Sequence, residues 1–194
     1  MSTMTKARTS ARDKLLEAAS KLFYANGMTA TGIDAITAEA GVASQTLYNN
    51  FKSKHELILG YIEIRHKEWM QLYAARLGAA TTDVDKVLAV FDAYIDHAEL
   101  PYPEGFRGCG LLNAAAELPV GADGRELVRK QKREVESILV ESLGALCSAE
   151  DARPLATQFS LLLEGAMMRA GLEQDPSLLY QARSFATLSL RALG

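Results

Sequence analysis

The sequence predicts an all-α protein of about nine helices, on three observations. Alanine and leucine are abundant while β-branched runs are few. Apolar residues recur at helical spacing, and Gly, Pro, Ser, Thr and Asp fall between the stripes as stops and caps. Hydrophobic residues make up 48% of the 194, enough for a substantial core in one or two domains. No stretch reaches the roughly 18 uncharged apolar residues of a membrane span. The basic N-terminus (Lys6, Arg8, Arg12, Lys14) leads into no apolar segment of the kind a signal peptide carries, so the sequence reads as soluble and cytoplasmic. Cys109 and Cys147 form neither a CxxC nor a Cys/His cluster. A disulfide framework, a zinc site and any other cofactor are therefore not expected.

The elements follow in order. Residues 1–9 are polar and read as a flexible arm. Ser10 or Thr9 caps a first helix whose Leu15, Leu16, Ala19, Leu22 and Phe23 share a stripe, and Asn26-Gly27 supplies a left-handed stop. Thr31 is placed to cap a second helix carrying Ile33, Ile36 and Ala40. Gly41 permits a tight turn, Val42 plugs it, and Ser44 caps a third helix with Leu47 and Phe51 inward. Ser53, with Glu56 three residues on, reads as a capping box for a long fourth helix striped by Leu57, Ile58, Tyr61, Ile62, Trp69 and Leu72. Gly78 and Ala79-Ala80-Thr81-Thr82 end it. Asp83 opens a fifth helix through Val84, Val87, Leu88, Phe91, Tyr94 and Ile95. Pro101 and Pro103 enforce a loop before a short sixth helix, Gly110–Glu117, closed by Pro119 and Gly121. A seventh runs from Leu127 to Leu146, and two last helices occupy roughly 150–173 and 176–193. The eighth is apolar around most of its circumference (Leu161, Leu162, Leu163, Ala166, Met167, Met168, Ala170). Such a helix is buried on most sides, either by a second copy of the chain, with Gly165 and Gly171 admitting a partner helix, or as the centre of a monomeric bundle.

The second and third helices, joined by three residues, have the grammar of a helix-turn-helix, and the third presents small and polar side chains outward. That is what entering a DNA major groove requires. The formal net charge of −3 divides unevenly. Residues 1–54 hold seven Lys/Arg against four acids, and the remainder holds 14 against 20. Only the segment facing phosphate needs to be positive.

Gly27, Thr31, Ile33, Ile36, Ala40-Gly41-Val42-Ala43, Leu47-Tyr48, Phe51 and Ser53-Lys54 stand in the order and spacing of the tetracycline-repressor (TetR) family of transcriptional regulators, which this chain resembles. Gly32, Thr37, Gln45 and Asn50 depart from the family's usual residues. The resemblance implies a helix-turn-helix DNA-binding domain over 1–53 and a ligand-binding and dimerisation domain over 54–194. It implies no enzyme but a homodimer joined through the last two helices (about 150–193). Operator DNA is bound and a small-molecule effector releases it, most often as a repressor. Base edges fall to Ser44, Gln45, Thr46 and Asn49, where Gln45 suits an adenine edge. Phosphates fall to Tyr48, Asn50 and Lys54, with Thr29 and Thr31 beside them, and Lys52, Lys6 and Arg8 add non-specific attraction. Alternatively, Tyr48 is a core tyrosine and the lysines are ordinary surface. The implied effector pocket draws on Trp69, Tyr73, Phe91, Tyr94 and Phe106, and on Cys109, Leu112, Asn113 and Met167.

Two rival readings remain at this level. Arg107-Gly108-Cys109-Gly110 could expose a reactive thiol and make the protein a redox sensor, or Cys109 is simply a buried small residue. Glu63 and His66 form a Glu-x-x-His pair of the kind used in metal-binding helical bundles, but only one such pair is present. Glu63 with Lys67 is then an ordinary i,i+4 ion pair.

Overall fold

The computed structural model describes residues 10–193, so Thr9, Lys6, Arg8 and the rest of the predicted arm lie outside the described residues. Within them the chain forms nine helices and no strand. In α1 (Ala11–Asn26) the Ser10 hydroxyl accepts from the Asp13 N–H and the Asp13 carboxylate accepts from the Ser10 N–H, a reciprocal cap. Gly27 does end α1 at a positive φ of 88°, but its ψ of 154° is extended rather than left-handed helical. The helix-turn-helix is α2 (Ile33–Ala40), the turn Gly41-Val42-Ala43, and α3 (Ser44–Asn50). Gly41 takes the left-handed conformation (φ 63°, ψ 38°) that lets α2 stop within one residue.

Three predicted caps differ. Gly32, not Thr31, caps α2, because the Thr31 hydroxyl is turned inward and donates to the Gly27 carbonyl at 2.7 Å. Ala43, not Ser44, caps α3, so Ser44 is the first helical residue. Ser53 caps α4 (Lys54–Ala79) by accepting from the Glu56 N–H, but the box is open: the Glu56 carboxylate accepts from the Lys52 N–H at 2.7 Å.

At 26 residues, α4 spans about 39 Å. It is the beam on which the molecule is hung. Its first turns pack on α1, where Gly60 lies so close to Leu16 that a Cβ would sit 2.8 Å from the leucine Cδ2. Its later turns pack on α5 (Asp83–Ala98), α6 (Gly110–Glu117) and α7 (Asp123–Leu143). α8 (Ala149–Glu173) lies between α7 and α9 (Ser177–Arg191), and α9 also packs on α5. The core is continuous from Leu15, Ile36, Leu47 and Phe51 through Tyr61 to Phe91, Leu139, Phe159 and Leu163. None of the helices is long and apolar enough to cross a membrane among the described residues.

One flank of α8 and α9 stays unpaired. Leu161 is 70% and Leu172 82% exposed, and Phe185, Leu188 and Tyr180 are exposed beside them. Gly165 has open space where its Cβ would stand, whereas Gly171 does not admit a partner helix. Its Cβ position is already filled by the backbone of Gly108 in the same chain.

Candidate nucleic-acid interface and effector cavity

Helix α3 is held from behind and open in front. Leu47 and Phe51 are essentially fully buried, and the Arg12 guanidinium lies 4.9 Å over the Phe51 ring. Their burial fixes the rotation of α3, so Ser44, Gln45, Tyr48 and Asn49 face solvent, with Thr46 half-buried. Gln45 Nε2 donates to Asn49 Oδ1 at 3.2 Å, aligning two amide side chains one turn apart on the outer face. Tyr48 is 55% exposed, which excludes the core-tyrosine alternative. Lys52 is exposed and Lys54 half-buried, and among the described residues neither is in an ion pair. The N-terminus of α2 has no side-chain cap, and Asp34 stands in its first turn.

Three predicted phosphate contacts stand differently. Thr31 is 4% exposed with its hydroxyl spent on internal carbonyls, so it props the α1–α2 loop and reaches no phosphate. Thr29 is exposed, but its N–H is taken by Glu117 Oε2 at 2.7 Å and is not free for a phosphate. Asn50 is half-buried and its Nδ2 donates one hydrogen to the Thr46 carbonyl at 2.8 Å, leaving only the other for a phosphate oxygen.

Behind this reading head a small enclosed cavity of about 30 Å³ lies among α4, α5, α6, α7 and α8. Of the residues expected around an effector, Trp69, Tyr94, Cys109 and Met167 line it. The other five do not. Phe91 packs edge-on against Phe159 at 5.4 Å, Phe106 against Tyr102 at 5.5 Å, and Tyr73 stacks behind Trp69 at 5.5 Å. Leu112 packs on the core, and Asn113 Nδ2 donates to the Arg107 carbonyl at 2.8 Å to hold the loop entering α6.

The polar wall was missed. Arg65, His97, Gln131 and Lys132 all line the cavity. Arg65 donates to His97 Nε2 at 2.9 Å and to the Tyr102 hydroxyl at 2.9 Å, and pairs with Glu68 at 2.8 Å. Lys132 pairs with Glu164 at 2.7 Å, and Tyr94 donates to the same carboxylate oxygen at 2.8 Å. The available signal was a charge inside an apolar stripe: Arg65 falls four residues after Tyr61 and four before Trp69, on their face.

The cavity and the reading head are joined. Arg107 Nη1 donates to the Tyr24 and Ala25 carbonyls at 2.6 Å each, closing the end of α1. The Tyr24 hydroxyl donates to the Gly108 carbonyl at 3.1 Å. At the far end of α6, Glu117 accepts from the Met28 N–H at 3.0 Å and the Thr29 N–H at 2.7 Å. Desolvation pushes that carboxyl up, but these two N–H groups outweigh it and hold it below the usual carboxylate range. Cys109 is buried and Arg107 points away from it, so the exposed, arginine-flanked thiol of the redox reading is not formed. Of the Glu63–His66 pair, His66 meets Glu134 at 3.1 Å, and Glu63 is exposed without pairing to Lys67 among the described residues. Nor do those residues gather three His, Cys, Asp or Glu where a metal ion could be held.

A three-helix head with an exposed recognition helix, carried on a larger helical body, defines a helix-turn-helix transcriptional regulator. The profile described as "Bacterial regulatory proteins, tetR family" matches residues 15–61. The crystal structure of SCO4454, a TetR-family transcriptional regulator from Streptomyces coelicolor, superposes with a TM-score of 0.85 at 31% identity, covering 94% of this chain and 95% of that one. The chain belongs to the TetR family and is a transcriptional regulator, not an enzyme. Among curated relatives from Mycolicibacterium smegmatis, it is 33% identical to the transcriptional activator FasR over 88 residues, 45% of this chain and 40% of FasR. It is 32% identical to the transcriptional repressor KstR2 over 91 residues, 46% of this chain and 44% of KstR2. These two matches span less than half of each relative's length.

Proposed function

We propose that this chain is a homodimeric, effector-released repressor working in the cytoplasm, with a DNA-binding head over residues 1–53 and a sensing and dimerising body over 54–194. The observation that carries the reading is the outer face of α3, where Tyr48, Gln45 and Asn49 stand exposed over a fully buried Leu47. Gln45, Thr46, Asn49 and Ser44 read base edges, and Tyr48, Lys54, Lys52 and Asn50 hold the backbone on either side. A second copy seats on the exposed Leu161, Leu172, Phe185 and Leu188 of α8 and α9, which sets the spacing of two recognition helices. Repression is preferred over activation as the usual behaviour of the family, while the relatives' own names include both outcomes.

The test is a mobility shift of the full chain on its own upstream DNA at two salt concentrations. Tyr48→Phe is expected to weaken binding about fivefold per protomer, the worth of one hydrogen bond, and so about 25-fold for the dimer. Lys54→Ala is expected to reduce the salt slope by about 2, one phosphate contact from each protomer. Both side chains lie outside the core, so unfolding is expected to shift by less than about 0.5 kcal/mol. Binding that ignores both substitutions removes α3 and its flank as the reading surface.

Glu117 supports the release step. α6 begins on the cavity wall and ends on the loop before α2, so a displacement at one end is delivered to the other. Glu117→Gln leaves one acceptor oxygen for two N–H donors and sets an amide against one of them. Operator affinity is expected to fall about tenfold, the order of one charge-assisted hydrogen bond, and the melting temperature by roughly 3–5 °C, because the same bond is lost from the folded chain. Unchanged operator affinity would show that the clasp does not position the head.

A further inference from the structure

The cavity wall has an unusual deficit: it holds three buried donors with nothing to donate to, beside one buried acceptor with no donor. Arg65 carries only donors, so the His97 Nε2 beside it accepts and the imidazole proton sits on Nδ1. That Nδ1 has no partner, and neither do Trp69 Nε1, Arg65 Nε or Gln131 Oε1. All four residues are more than nine-tenths buried and all four line the cavity. Unpaired buried polar groups of this number in one place are costly unless something else satisfies them.

The charges have a direction as well. Arg65 and Lys132 line the cavity, whereas their carboxylate partners Glu68 and Glu164 do not, although each keeps one buried oxygen (Oε2) without a hydrogen-bond partner. The imidazole registers the result: burial first, then the Arg65 and Lys132 charges, hold His97 down to about 3, so it is a neutral donor in a positive field. The rest of the wall is flat or pliable. Trp69 meets Tyr94 edge-on at 5.6 Å and is stacked on Tyr73 and His66, and Met167 supplies a flexible side chain to the lining.

We propose that the effector is a small aromatic carboxylate, its anionic oxygens taken by Trp69, His97 and Lys132 and its ring held against Met167. The proposal rests on the effector-release reading above and names its ligand class. It also accounts for the cavity's size. At about 30 Å³ the site holds water but no aromatic ring, so a bound acid must displace a wall. One wall is the Cys109–Leu111 entry to α6. Binding is thus tighter to a state with α6 displaced, which is the differential affinity that a switch requires.

Trp69 is the only tryptophan of the chain, so intrinsic fluorescence reports this site directly. The full-length protein is titrated with benzoate and phenylacetate, and with benzamide and benzylamine as neutral and cationic counterparts. At least one acid is expected to change the Trp69 emission saturably and to bind at least about tenfold more tightly than benzamide, the worth of a hydrogen bond to a charged group. The Lys132→Gln/Glu164→Gln double substitution, which removes one of the two wall cations together with its partner, is expected to shrink the preference for acid over amide at least about threefold. Benzamide or benzylamine binding as well as the acids, no acid binding, or a preference undiminished by the double substitution each overturns the proposal. Should the double variant fail to fold, the wild-type comparison still decides. A parallel mobility shift separates the two readings. An acid that binds without freeing the DNA removes effector release and keeps the ligand class, whereas release by benzamide alone does the reverse.

Discussion

Gly171→Ala is expected to lower the melting temperature by about 10 °C, the largest effect of any single-methyl substitution in this molecule. A Cβ at Gly171 would stand 2.1 Å from the Gly108 amide nitrogen and 2.5 Å from the Arg107 carbonyl carbon. Both are backbone atoms and cannot rotate away as a side-chain tip can. Overpacking of this kind costs about 3 kcal/mol or more, and a domain of this size loses about 2–4 °C per kcal/mol. Gly108 cannot readily yield, because it sits at φ +75° with its own Cβ position 3.2 Å from the Met167 carbonyl. The control lies on the same helix. Gly165 has nothing within 4 Å of its Cβ position. Gly165→Ala is therefore expected to change unfolding by less than about 1 kcal/mol, in the stabilising direction given by helix propensity. Calorimetry that finds the two variants alike would show that the α8–α6 loop contact is not tight. Arg107, next to Gly108, closes α1, so Gly171→Ala is also expected to weaken operator binding.

Acid is expected to unfold the protein early, and His97 is the main reason. Its folded value is held down to about 3 by burial and then by Arg65 and Lys132, against about 6.5 in an unfolded chain. Between those two values the unfolded chain binds the proton and the folded one does not. Stability from this group is therefore fully present above about pH 6.5 and falls by about 1.4 kcal/mol per pH unit as the pH drops toward 3. His97→Gln keeps an acceptor for Arg65 and removes the titration. It is expected to flatten the stability curve between about pH 4 and 6.5 while leaving the carboxylate-driven loss below it. Urea denaturation across that range measures the slope, and a variant as steep as the wild type would assign the acid sensitivity elsewhere.

The helices were legible because each local signal agreed with the next. Thr82 and Asp85 cap α5 reciprocally one residue before Asp83, and α6 begins and ends at Gly110 and Glu117 as its flanking Gly and Pro indicate. Caps failed where another backbone group close in sequence outbid the expected one. Thr31 is an apt cap by type, but the carbonyls of Leu22 in α1 and of Gly27 at its end lie within reach of its hydroxyl. Glu56 found the Lys52 N–H rather than that of Ser53. On α3 the buried Leu47 and Phe51 dictate which residues remain outside, so its exposed face follows from periodicity alone. The cavity wall does not, because it is assembled from α4, α5, α6, α7 and α8, and no spacing rule aligns Arg65 with His97 or Lys132 with Glu164. Aromatic residues were favoured there on apolar character, whereas Phe91 and Phe106 serve as packing and the cations face the space.

Arg65 belongs to two places at once. It borders the cavity, and its guanidinium lies 5.0 Å over the ring of Tyr24, which belongs to α1. Sensing and reading therefore share a residue rather than communicate across a gap, and that limits how this protein is re-engineered. A chimera that takes its first three helices from another regulator must bring a tyrosine to position 24, or the body loses part of its own effector wall along with its DNA target.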